Sequence, residues 1–370
     1  MIQIIKLHDE RIDTSPARQA EASLCVGDWV EVCSKEEILS TLGPNGQLDG
    51  MPFMPEMFAF CGKRFRVYRR AHKTCDTVND YKGRKLKDAV HLEGLRCDGQ
   101  AHGGCQAGCL IFWKTAWLRP VRSANADSPA SQKHPAPSAD GSGRRCTEAD
   151  VVAAARRPVV AADAAPAYMC QATQVPAATE PLRSWELQQY VEDYKSGNVG
   201  LGRMAASFIY MGYRHWLVNL GIGWGPTLEW LYNMFQRLRG GPPYPRKDGK
   251  LPTGSRTPTA ALDLQPGDWV RVKSFNAILA TCDQSLMNRG MKFDAELVPY
   301  CGGTYQVLKR VNRILDEKTG VMLEMKTPSI ILDSVVCQAR YSECRLFCPR
   351  SIYPYWREIW LERAAPPAAS

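Results

Sequence analysis

Gly267-Asp268-Trp269-Val270-Arg271-Val272 restates Gly27-Asp28-Trp29-Val30-Glu31-Val32 at a distance of 240 residues. At the same offset Gly50-Met51 returns as Gly290-Met291, Phe53 as Phe293, Glu56 as Glu296, Cys61-Gly62 as Cys301-Gly302 and Cys97 as Cys337. The alignment runs without a gap from 27 to 97 and from 267 to 337, then slips by one residue, so that Cys105 and Cys109 meet Cys344 and Cys348. An internal repeat compares a unit with itself, and the residues both copies keep are those the unit needs.

The quoted stretch alternates apolar and polar residues after a glycine turn, the pattern of a half-buried strand. Phe65-Arg66-Val67-Tyr68 and Tyr305-Gln306-Val307-Leu308 alternate likewise, and Asp316-Glu317-Lys318-Thr319-Gly320 reads as the turn of a hairpin joining about 304–315 to 321–326. Val90-His91-Leu92 and Ile330-Ile331-Leu332 supply a further strand, and Trp117-Leu118 and Trp360-Leu361 a closing one. With its long hairpin, the opening Pro266-Gly267-Asp268-Trp269-Val270-Arg271-Val272 resembles the start of a small SH3-like barrel. The resemblance implies a binding scaffold and no particular reaction. The expected fold is mainly β with an α insertion: two duplicated SH3-like β-barrel modules, at 22–122 and 258–364, joined by a disordered linker and a helical hairpin.

The linker, 123–181, is rich in Ala, Pro and Ser, as in Ser128-Pro129-Ala130-Ser131, and such composition buries too little apolar surface to offset chain entropy. Cys146 and Cys170 fall there without counterparts and read as incidental thiols. The helical segment, 182–239, opens with Ser184 as N-cap of an amphipathic helix and continues into two apolar helices, about 202–220 and 226–238, around Gly221-Ile222-Gly223-Trp224-Gly225-Pro226. Its aromatics, among them Phe208, Tyr210, Tyr213, Trp216, Trp224, Trp230, Tyr232 and Phe235, suit core and docking surface better than a ligand groove.

The chemistry-bearing residues common to both copies are cysteines: Cys61, Cys97, Cys105 and Cys109 in the first, Cys301, Cys337, Cys344 and Cys348 in the second. The spacings are C-x7-C-x3-C and C-x6-C-x3-C, each trio preceded by a fourth cysteine 36 residues upstream. Four thiolates close the tetrahedral shell of a structural zinc ion, so two zinc sites are expected. The chain lacks the C-x2-C pair of zinc knuckles, and Cys344-x3-Cys348-Pro349 is similar to the end of a bacterial ferredoxin motif, which keeps iron–sulfur clusters as the alternative cofactor. His102 reads as a solvated loop histidine.

Two surfaces distinguish the copies. Arg64, Arg66, Tyr68 and Arg70 share one strand face and form a basic ladder able to hold phosphates or stack a nucleic-acid base. Arg350, Tyr353, Tyr355, Trp356 and Arg357 form an aromatic and basic tail that suits a small ligand, a protein partner or the seam between modules. The net charge of +9 permits an acidic partner.

No phosphate-cradling G-x4-G-K-[ST] loop, G-x-S-x-G elbow or H-E-x-x-H helix occurs, which argues against the common NTPase, hydrolase and zinc-protease chemistries, and no nucleotide cofactor is evident. Met1-Ile2-Gln3-Ile4-Ile5-Lys6 opens no leader pattern, and charges interrupt the apolar stretch 204–235, so a cytoplasmic protein without a membrane span is expected. These features point to a metal-binding scaffold that docks a partner, with an iron–sulfur redox protein and a nucleic-acid binder as alternatives.

Overall fold

A computed structural model describes residues 23–121, 145–157, 165–218 and 225–367. The amino-terminal stretch, about half of the predicted linker, Trp224 and the side chain of Trp216 lie outside the described residues. The fold is mixed, with antiparallel strands in several sheets and helices between them.

The first sheet contains β1 (Trp29–Val32), β2 (Arg64–Arg70), β3 (Ala89–Leu92), β4 (Trp113–Lys114) and β5 (Leu118–Pro120), in the order β4-β3-β2-β1-β5. The second contains β6 (Trp269–Val272), β7 (Thr304–Leu315), β8 (Met322–Leu332) and β9 (Leu361–Arg363), in the order β8-β7-β6-β9. Trp29 faces Arg66 and Val30 faces Phe65, while Trp269 faces Gln306 and Val270 faces Tyr305, so the two central pairings share one register at the 240-residue offset. Alternation is realised as expected: Val30, Val32, Val270 and Val272 are fully buried, whereas Trp29 stands half exposed.

The repeated glycine opens both sheets for a backbone reason. Gly27 and Gly267 hold φ of +92° and +97°, where a side chain would be strained, and their amides donate to Val67 and Val307 carbonyls at 2.9 and 2.8 Å. After β1 and β6 come the short helices α1 (Lys35–Thr41) and α7 (Phe275–Leu279), capped by Ser34 and Ser274. Trp117 donates to Thr41 Oγ1 at 3.1 Å and packs on Phe53 with ring centres 5.2 Å apart; Trp360 does the same with Thr281 at 3.0 Å and Phe293 at 5.2 Å.

The segment expected to be disordered carries α2 (Glu148–Ala154) and α3 (Gln171–Ala178), both on the first module. The Gln171 side chain holds α3 there, receiving the Phe112 amide at 2.8 Å and donating to the Phe112 and Pro52 carbonyls at 2.8 and 3.1 Å. A polar anchor among small residues leaves no hydrophobic pattern to read, which is why composition concealed this helix.

Next come α4 (Gln188–Lys195), α5 (Leu201–Gly212) and α6 (Gly225–Leu238). Tyr210, Tyr213, Tyr232, Tyr244 and Tyr341 form one ring cluster joining α5 and α6 to the second module. Among the described residues no helix is long and apolar enough to cross a membrane.

The modules are also tied to each other. The β7–β8 hairpin lies on the cysteine loop of the first module, where the Leu315 amide donates to Cys105 Sγ at 3.3 Å and Gln106 receives the Asn312 amide at 2.7 Å. In return Arg350 enters the first module, donating to the Cys75 carbonyl at 3.2 Å and Thr77 Oγ1 at 2.8 Å.

His91 supplies a pH-dependent part of this stability. Its Nδ1 lies 2.8 Å from the Ile111 carbonyl, its ring packs on Phe112, and burial lowers its pKa to about 3. Between that value and the ordinary 6.5 the unfolded chain binds the proton and the folded one does not, so stability falls with falling pH by about 2 kcal/mol at pH 5. His91→Phe is expected to flatten this acid limb in urea titrations at pH 5 and 7, although its plateau is lower because the bond to Ile111 is lost.

Candidate metal centre

The first module brings together a carboxylate, a thiol and an imidazole. Glu56 lies in a short helical turn, Pro55–Phe60, Cys97 follows β3, and His102 ends the turn Gln100–His102. That turn is bounded by Gly99 and Gly103 at φ of +78° and +65°, which fold the loop back so that His102 is buried, with 1% exposure. The reading of His102 as solvated is thereby corrected: the glycines that mark a loop also turn it inward.

The Cys97 thiol donates to Glu56 Oε1 at 3.0 Å, and His102 Nδ1 lies 3.6 Å from the same oxygen and 4.0 Å from the sulfur. His102 Nε2 lies 3.1 Å from the Met169 carbonyl, which fixes that nitrogen as the protonated donor and leaves the Nδ1 lone pair facing Glu56 and Cys97. Glu56 Oε2 is buried without a hydrogen-bond partner. An orphaned carboxylate oxygen costs free energy that a cation would offset. Burial, reinforced by Glu56, raises the Cys97 thiol far above its ordinary range, and burial lowers the His102 pKa, so without metal both are neutral.

An adjoining cavity of about 30 Å³ is lined by Cys97, His102, Cys105, Cys109 and Cys170. Cys97, Cys105 and Cys109 of the expected quartet therefore share one cavity with an unpredicted fourth thiol, Cys170 at the start of α3. Cys61 is not among its lining residues; it ends the turn Pro55–Phe60 and packs on the core near Cys33, as a small apolar residue would. Cys105 already accepts the Leu315 amide.

The second module keeps Glu296 and Cys337, but Tyr341 replaces His102 at the one-residue slip. Glu296 receives the Arg340 and Tyr341 amides at 2.9 and 2.6 Å, so its oxygens are satisfied by backbone. Cys301 ends its turn against the core, Cys344 is exposed, and Cys348 hydrogen-bonds Cys75 of the first module near the buried Arg350. Among the described residues, Glu56, Cys97 and His102 are the group of three or more acidic, cysteine or histidine residues whose ligand atoms lie within 4.8 Å of one another.

Several residues of the remaining candidate surfaces have partners within the chain. Arg64 pairs with Glu31 at 3.0 Å and Arg66 donates to the Gly27 carbonyl at 3.3 Å, both exposed, while Tyr68 lies 3.3 Å from Ser351 and the Arg70 amide bonds Asn198 at 2.9 Å. A pairing irregularity between Val67 and Arg69 divides this ladder. Of the tail, Trp356 is core, Arg357 donates to the Thr327 and Arg289 carbonyls at 2.6 and 2.8 Å, Tyr353 lies under Arg96 at 3.7 Å, and Tyr355 is half-buried.

No protein-family model matches the chain, and no curated protein matches it.

Proposed function

We propose that the chain is a non-enzymatic metal-binding scaffold of two duplicated SH3-like modules, the first holding one structural zinc ion on Glu56, Cys97 and His102. The observation that carries this reading is the buried, unpartnered Glu56 oxygen beside a thiol and an imidazole lone pair. Carboxylate, thiolate and imidazole are the donor types zinc accepts, and Cys109 or Cys170 from the adjoining cavity would complete a closed, structural shell. The metal supplies crosslinking of the Glu56 turn to the Cys97–His102 loop. A cavity of about 30 Å³ admits a guest the size of a single water, far less than a cubane of iron and sulfide. The second module replaces the metal with amide donors to Glu296, so the expectation of two sites becomes a proposal of one.

The partner-docking part of the proposal rests on the helical hairpin, whose Ile209, Trp230, Phe235 and Leu238 are exposed. The division of the basic ladder disfavours nucleic-acid binding. Elemental analysis of protein purified without oxygen is expected to give one zinc per chain and neither iron nor sulfide. Iron with sulfide would replace this reading by redox chemistry, and folded protein free of metal would overturn it.

A further inference from the structure

A second cavity, of about 220 Å³, lies where the two modules meet the start of α5, and its lining includes Tyr68, Arg69, Arg203, Cys337, Gln338 and Ser351. Its chemistry differs from that of the thiol cavity. Arg69 reaches it at the irregularity of β2, and Arg203 from the first turn of α5. Arg69 donates to the Asn198 carbonyl and Arg203 to the Gln338 carbonyl, the latter at 2.6 Å, so one nitrogen of each guanidinium is fixed by backbone. Arg203 Nε is buried without a partner, as is Nε of neighbouring Arg340.

Neither Arg69, Arg203 nor Arg340 makes an ion pair among the described residues. The carboxylates acting on Arg203 are committed elsewhere: Glu296 to the Arg340 and Tyr341 amides, and Asp193 to Lys73 at 2.6 Å. Burial, with the charges of Arg340 and Arg69, lowers the Arg203 pKa, and Glu296 and Asp193 oppose the shift without forming an ion pair with it. Gly200 begins α5 without a side-chain cap, and neighbouring Val199 lines the cavity, adding the positive end of a helix to the same space.

We infer that this cavity binds a small oxyanion of the phosphate class, held by the guanidinium groups of Arg69 and Arg203. Guanidinium donors in a fork match the oxygens of a tetrahedral anion, and charge-assisted bonds of this kind are the strong ones. The volume is below the roughly 300–1,000 Å³ of drug-sized ligand sites, which fits an inorganic anion with a few waters. Because the cavity joins both modules to α5, its occupant would brace the assembly, and the inference stands independently of the zinc reading.

Inorganic phosphate titrated calorimetrically into the full chain, against chloride of equal ionic strength, is expected to give saturable binding at one site. Arg69→Gln and Arg203→Gln are each expected to weaken it about tenfold or more. Phenylglyoxal labelling of the unmutated protein, mapped by mass spectrometry, covers the case of a variant that fails to fold. Phosphate should slow labelling of Arg69 and Arg203 and leave exposed Arg64 unchanged. No saturable binding, no protection, or a folded Arg203→Gln protein with unchanged affinity would overturn the inference.

Discussion

Replacing Asp193 with alanine is expected to destabilise the assembly by about 3–5 kcal/mol, because it strands a buried ammonium group. Lys73 and Asp193 are buried, with side chains 3% and 0% exposed, and meet at 2.6 Å. The Lys73 ammonium also lies over the Tyr190 and Phe347 rings at 5.0 and 5.7 Å, so one charge pair gathers the first module, α4 and the second module. Burial pulls both groups toward neutrality, raising the Asp193 pKa to about 6 and lowering that of Lys73, while their pairing opposes both shifts. Asp193 therefore favours the fold most when protonated, and its contribution declines as pH rises from about 4 to about 6. The double variant Lys73→Met with Asp193→Leu should recover most of the loss in urea midpoints, since a buried pair is often replaceable by apolar residues. A single-variant loss below about 1 kcal/mol, the range of an exposed pair, would contradict the account.

Removing the metal is expected to have the larger effect. Structural zinc contributes roughly 10–16 kcal/mol of apparent binding free energy in small domains that depend on it. The first module has its own apolar core, so only part of that should appear as lost stability, about 5 kcal/mol or more, or about 10 °C or more in melting temperature. Cys97→Ser should melt where chelator-treated unmodified protein melts, and chelator should not shift it further. Because the metal must displace the proton of a strongly raised thiol, affinity should fall steeply as pH falls. Equal melting of untreated and chelator-treated protein would contradict a structural role.

Much of the strand scaffold was legible in the repeated Gly-Asp-Trp-Val turn, because glycine at positive φ and an alternating strand with buried valines each impose a local sequence requirement. Cys97 and Glu56 were visible as matched residues. His102 and Cys170 were not, because matching residues 240 positions apart reveals only what the two stretches have in common. Cys170 arrives from α3, outside the repeat, and the place of His102 in the second module is taken by Tyr341, whose amide helps satisfy Glu296. Cys75 faces Leu315 at the 240-residue offset and has no matching cysteine, yet it meets Cys348 across the seam. Burial of Glu56 was the missing signal, and a single sequence does not print it.

The central claim, that Glu56, Cys97 and His102 hold one metal ion, is tested most directly by cobalt(II) titration of the metal-free protein followed by absorption. The account predicts saturation at one equivalent, with a thiolate charge-transfer band and the intense visible bands of a tetrahedral site, all lost in Cys97→Ser. Saturation without a thiolate band, or a spectrum unchanged in Cys97→Ser, would contradict it.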